Sequence, residues 1–118
     1  MTLESVFKEL KAKQVESNSA IITQDDVDMK VTIGISNNLC SILVETQTDV
    51  DDVSEKVIQS INKYDNLVRY LLVGGHLSLV TTMWVDKKPT NSALTEIVSL
   101  MIAKALSMKR MLEVMYGG

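Results

Sequence analysis

The stretch MKVTIGISNNLCSILVET, residues 29–46, decides the fold. Met29, Val31, Ile33 and Ile35 alternate with Lys30, Thr32, Gly34 and Ser36. Successive side chains of a β-strand point to opposite faces, so a period of two predicts a strand buried on one side. Asn37-Asn38 then breaks the run, and Asn tolerates the positive φ that a two-residue hairpin turn needs. The chain returns through Leu39 to Thr46. Cys40, Ile42 and Val44 fall on one face, and Leu43 on the other, among Ser41 and Glu45.

Working outward, Ala20-Ile21-Ile22-Thr23 predicts a short strand that ends in the acidic turn Asp25-Asp26-Val27-Asp28. Val68–Val73 and His76–Val85 predict two more strands, and Gly74-Gly75 between them is a hairpin signal. Leu77, Leu79 and Met83 share one face with Thr81. Val80 and Trp84 take the other, so both faces carry apolar weight.

Three helices complete the pattern. Leu3, Val6, Phe7 and Leu10 recur at helical spacing, with Thr2 placed to cap. Thr48 with Asp51 resembles a capping box, and Asp49, Asp51 and Asp52 suit the positive end of a helix dipole. That helix would carry Val50, Val53, Val57, Ile58 and Ile61 as its stripe and end in the turn-rich residues 62–66. After Asp86-Lys87-Lys88-Pro89, Asn91 would cap a last helix through about Tyr116. Its roughly 25 residues would span about 38 Å, more than a domain with a radius of gyration near 13 Å accommodates. Such a helix either overhangs or packs against a second copy. The expected fold is therefore α+β in the order α-β-β-β-α-β-β-α. It would be one domain over 1–118, a five-stranded, mainly antiparallel sheet with helices packed on it.

The 118 residues are 46% hydrophobic but only 4% aromatic, with 7 Met, so Val, Ile, Leu and Met must build the core. The net charge of −3 argues against nucleic acid, which favours basic surfaces. Residues 1–85 carry 7 Lys/Arg against 12 Asp/Glu, and residues 86–118 carry 5 against 3; a solvated surface accounts for this. The lone Cys40 cannot form an internal disulfide and sits in a strand as a small buried thiol. No signal-peptide pattern and no apolar run of membrane-spanning length occur, which predicts a cytoplasmic protein away from membranes.

Reactive chemistry finds little support. Gly74-Gly75 lacks the spacing of a phosphate-cradling loop, and a strand follows it where a helix is needed. His76 has no evident orienting partner or nucleophile, so it is expected as a turn-flanking surface residue. One His and one Cys cannot build a zinc site. A calcium loop starting at Asp49 would lack Gly at position 6 and place Ser60 where Glu belongs. No catalytic residue, cofactor or metal is therefore expected, and the chain is not expected to be an enzyme.

What remains is surface. The last helix has Leu94, Ile97, Val98, Met101, Ile102, Ala105, Met108, Leu112 and Met115 in its stripe, while Leu100, Leu106 and Met111 widen it beyond a normal core-facing stripe. Large exposed apolar patches mark interaction sites, and Met adapts to varied partners. Leu100, Met101, Met108 and Met111 are the expected self-association or partner surface, with Val80 and Trp84 as second candidates.

The element order, and the segment Val57-Ile58-Gln59-Ser60-Ile61-Asn62-Lys63-Tyr64-Asp65-Asn66, resemble the type III secretion chaperone-like fold, shared by secretion chaperones and the YbjN-like family of small bacterial proteins. In that family a similar helix ends in an Asn-rich turn and is followed by a hairpin and a long helix. The resemblance covers nearly the whole chain as topology and about ten residues as sequence. It implies a cytoplasmic, acidic, non-enzymatic homodimer that binds an extended segment of a partner protein along apolar patches and sheet edges. A YbjN-like regulatory role is equally implied. The alternative reading is a small-ligand-binding domain or small enzyme, with a pocket between sheet and last helix and His76 or Asp65 nearby.

Overall fold

The computed structural model describes residues 3–49, 55–64, 68–73, 76–85 and 89–116. In chain order the elements are α1 (Leu3–Glu9), β1 (Lys13–Glu16), β2 (Ser19–Gln24), β3 (Val27–Ser36), β4 (Leu39–Asp49), α2 (Glu55–Tyr64), β5 (Arg69–Val73), β6 (His76–Trp84) and α3 (Asn91–Tyr116). The fold is α+β. Its single sheet has six strands in the order β1-β2-β3-β4-β6-β5, every pairing antiparallel.

The central hairpin is as its alternation predicts. Asn37 takes φ 53° at the turn. Val31 pairs with Val44 and Ile33 with Ile42, and all four are fully buried. The β2–β3 turn is tighter than expected: Asp25 and Asp26 alone form it, at φ 52° and 62°, and Val27 and Asp28 already belong to β3. Such angles suit a two-residue turn whose twist matches the flanking strands.

The sixth strand corrects the expected five. β1, Lys-Gln-Val-Glu, is exposed at every residue, so no buried face imposes an apolar period on it. A second correction concerns Thr48. It lies with Asp49 at the end of β4, which runs that far because Asp49 pairs with His76. The helix expected there begins at Glu55, and the other capping partner, Asp51, lies outside the described residues, as do Thr2, Val50, Val53, Asp65 and Gly74-Gly75. A third correction is one residue wide. Thr90, rather than Asn91, caps α3: its Oγ1 accepts the N–H of Ala93 at 3.1 Å, and its carbonyl accepts the N–H of Leu94 at 3.0 Å.

α3 lies across one face of β4 and β6, and α1 packs on α3. The core between them joins Phe7, Met29, Ile33, Ile42, Leu79, Leu94, Val98 and Leu112. α3 has 26 residues, or about 39 Å, which only the longest of the molecular dimensions, 44 × 28 × 21 Å, accommodates. α1 ends without glycine. The N–H of Ala12 bonds the carbonyl of Phe7 at 2.9 Å and that of Lys11 the carbonyl of Lys8 at 3.1 Å. This is a Schellman motif, with Lys11 at the left-handed position, φ 58°. A side chain with a Cβ is strained there, so Lys11→Gly is expected to raise stability by about 0.5–1 kcal/mol. Urea unfolding checks this as a higher midpoint at unchanged slope.

Candidate functional site

Register sorts the sheet into two faces. The inner face meets α3. On the face turned away from it, β4 and β6 bring Leu39 beside Trp84, Ser41 beside Thr82, Leu43 beside Val80 and Glu45 beside Ser78. Thr32 extends the Leu43–Val80 row from β3, and Arg69 extends it from β5. Trp84 is 82% exposed, although it is a large aromatic at the end of a central strand. Leu39, Leu43 and Val80 are half-buried around it. Three polar pairs on this face are bonded, Ser41 with Thr82 at 3.3 Å, Ser19 with Thr32 at 3.2 Å and Lys30 with Glu16 at 3.3 Å, whereas the hydroxyl of the fully buried Ser78 has no partner among the described residues. The two leucines, the valine and the tryptophan are apolar side chains that keep exposed area on this face.

Both sheet edges are blunted. β1 is four residues long, carries Lys13 and Glu16, and breaks register between Gln14 and Glu16. Short, charged, bulged edges resist strand addition. At the other edge, the Asn62 side chain of α2 clasps β5. Its Oδ1 accepts the N–H of Tyr70 at 2.6 Å, and its Nδ2 donates to the carbonyl of Tyr70 at 2.9 Å. One amide thus occupies both backbone groups that an added strand would use at this position. Binding at sheet edges, as the resemblance implies, therefore meets guarded backbone, and the apolar faces are the freer surfaces.

The six expected surface residues divide. Trp84 is exposed, and Leu100 and Met111 are 46% and 42% exposed on the outward side of α3. Val80 and Met108 are half-buried, Met108 packing against the core. Met101 is a correction: at 1% exposure it belongs to the core, and so does Leu106 at 5%. At 100° per residue, Met101 and Leu106 turn toward the sheet side that Val98 and Ala105 already occupy, while Leu100 turns away. Sequence reasoning missed Val114, 87% exposed; its spacing of three from Met111 and fourteen from Leu100 was the available signal. It also missed Leu39, because nothing local predicts that Leu39 will lie beside Trp84.

A pocket between sheet and last helix does exist. An open cleft of about 320 Å³ lies between α1, β2 and α3, lined by Glu9, Lys11, Ile22, Gln24, Ser99 and Ile102 among others. A second, about 270 Å³, lies between α2 and β5 beside Asn62 and Arg69. His76 lines neither. It opens β6, paired with Val73 and Asp49. The described residues contain no cluster of three His, Cys, Asp or Glu able to hold a metal ion. Cys40 is buried, and burial pushes its thiol pKa up, which disfavours the nucleophilic thiolate. None of the described helices is long and apolar enough to cross a membrane. Compared with family models, curated proteins and solved structures, the chain has no significant match.

Proposed function

We propose that the chain is a non-enzymatic, chaperone-like protein-binding module that acts as a homodimer and holds an extended segment of a partner protein against the outer face of its sheet. The observation that carries this reading is the pair of rows Leu39–Trp84 and Leu43–Val80 on the face opposite α3, two apolar patches with the hydroxyls of Ser41 and Thr82 between them. Interfaces concentrate their energy in a few central aromatic and aliphatic anchors, with polar groups around them. A strip two strands wide suits an extended peptide, whose alternate side chains point one way. In this reading the hydroxyls of Ser41 and Thr82, bonded to each other, lie between the two apolar rows without demanding a partner of their own.

The sole tryptophan serves as the reporter. Titrating the protein with a Trp-free unfolded polypeptide is expected to shift Trp84 emission to the blue and to saturate. Leu43→Asp should weaken that binding by about tenfold or more, the scale of one lost hot-spot contact, while circular dichroism stays unchanged. Emission that stays put throughout the titration, with no binding by calorimetry, would remove the sheet face as the site.

A further inference from the structure

The register of the outer sheet face sets a spacing as well as a surface. Leu39 and Leu43 stand four residues apart on β4, and their partners Trp84 and Val80 stand four apart on β6. Four extended residues span about 14 Å. The row between them presents the bonded hydroxyls of Ser41 and Thr82 in place of large apolar groups. The row beyond Leu43–Val80 is Glu45 with Ser78, and Lys30 faces Glu45 from β3. Ser78 is fully buried, so Glu45 is the polar group that a partner over β4 and β6 meets there. Glu45 is half-buried and has no ion pair among the described residues, because Lys30 pairs with Glu16. These three side chains set one positive charge against two negative. Arg69 stands two strands away from Glu45, on β5.

We infer that the partner segment is an extended chain with two large apolar side chains four residues apart, a small or hydroxylated one midway, and a Lys or Arg two residues beyond the anchor that meets Leu43–Val80. The inference rests on the outer-face reading of the proposed function and specifies the chemistry of the partner. Alternate side chains of an extended chain point one way, so a spacing of three or five residues turns the second anchor away from the sheet. A spacing of two sets it on the hydroxyls of Ser41 and Thr82. A spacing of four puts one anchor on Leu39–Trp84 and the other on Leu43–Val80. Two residues further along, the same side of the partner meets Glu45, whose carboxylate takes a cation. Charge complementarity thereby orients the partner, with its basic end away from Trp84. Side chains carry the contact and no backbone hydrogen bond fixes the chain direction, so the motif reads equally from either end.

Trp84 emission, titrated with short Trp-free peptides, tests the motif. The reference peptide is Leu-Thr-Ser-Thr-Val-Thr-Lys. Two others hold the same residues reordered, Leu-Thr-Val-Thr-Ser-Thr-Lys and Leu-Thr-Ser-Thr-Thr-Val-Lys, and a fourth is the reference ending in Glu. The reference is expected to bind about tenfold or more tightly than either reordered peptide, the scale of one anchor lost. The Glu-ended peptide is expected to bind about two- to fivefold more weakly than the reference, the scale of an exposed ion pair. Glu45→Gln should erase that charge difference and keep the spacing preference. Equal affinity for all three orders, or no peptide binding while an unfolded polypeptide still saturates the protein, would overturn the motif and leave the sheet face standing as the site. Equal binding of the Lys- and Glu-ended peptides, or a preference for Glu, would overturn the basic position. Failure of the unfolded polypeptide itself to bind would remove the outer-face reading and the motif together.

Discussion

Met101→Asp is expected to abolish folding, while Leu100→Asp, one residue away, leaves the fold intact. Met101 is 1% exposed, on the side of α3 that meets the sheet. The substitution removes a buried side chain whose truncation alone costs about 2–5 kcal/mol. It also places a carboxylate in an apolar site among the core residues, adding several kcal/mol or forcing the group to stay protonated. Together these approach the roughly 5–15 kcal/mol by which a domain of this kind is stable. Leu100 is 46% exposed, and an aspartate there remains hydrated. Circular dichroism and urea unfolding of the pair decide the matter. Equal loss in both variants would mean that the two sides of α3 are not distinguished as described.

That pair also shows how far the sequence could be read. Where one face is wet and the other dry, the alternation in 29–46 is strong, and the inward set Met29, Val31, Ile33, Cys40, Ile42 and Val44 is fully buried. β1 lies at an edge with every residue exposed, so the hydrophobic effect leaves no mark on Lys-Gln-Val-Glu. Thr48-Asp49 has the chemistry of a helix start, but pairing of Asp49 with His76 keeps the chain extended; a contact distant in sequence overrode a local preference. Thr90 and Asn91 are both able caps, and the choice between them rests on backbone angles that composition does not encode. On α3 the apolar residues occupy two sides of the helix, Met101 and Leu106 buried and Leu100, Met111 and Val114 exposed, which in sequence alone merge into one broad stripe. The candidate sheet surface was half legible. Trp84 stood out as an aromatic off the buried face, whereas its neighbour Leu39 is set by the β4–β6 pairing across a long stretch of chain.

Asn62→Leu is expected to cost about 2–4 kcal/mol and to turn β5 into an adhesive edge. Asn and Leu have the same number of side-chain heavy atoms and the same branch point, so the change is chiefly chemical. Two hydrogen bonds to Tyr70 vanish, and its N–H and carbonyl lose the partner that α2 supplies. An unmatched buried polar group costs about 1–3 kcal/mol, and Tyr70 is 2% exposed. What distinguishes a clasp from simple packing is Asn62→Asp. A carboxylate can accept the Tyr70 N–H but cannot donate to its carbonyl, and the two oxygens repel. Only the protonated acid restores both bonds, so folding raises that carboxyl's pKa above its unfolded value. The stabilising contribution is then complete below the unfolded pKa and is lost as pH rises through the folded one. Asn62→Asp is accordingly expected to unfold at lower urea at neutral pH than in mild acid, relative to wild type at each pH, and Asn62→Leu to show no such recovery. If both variants lost stability equally at every pH, Asn62 would matter as filler and not as a donor–acceptor pair. Asn62→Leu should also raise light scattering at high protein concentration, because it removes the clasp that guards the β5 edge against another strand. That outcome would place the closing of β5 alongside the blunting of β1, as the reason partner binding is assigned to the sheet's outer face rather than to its edges.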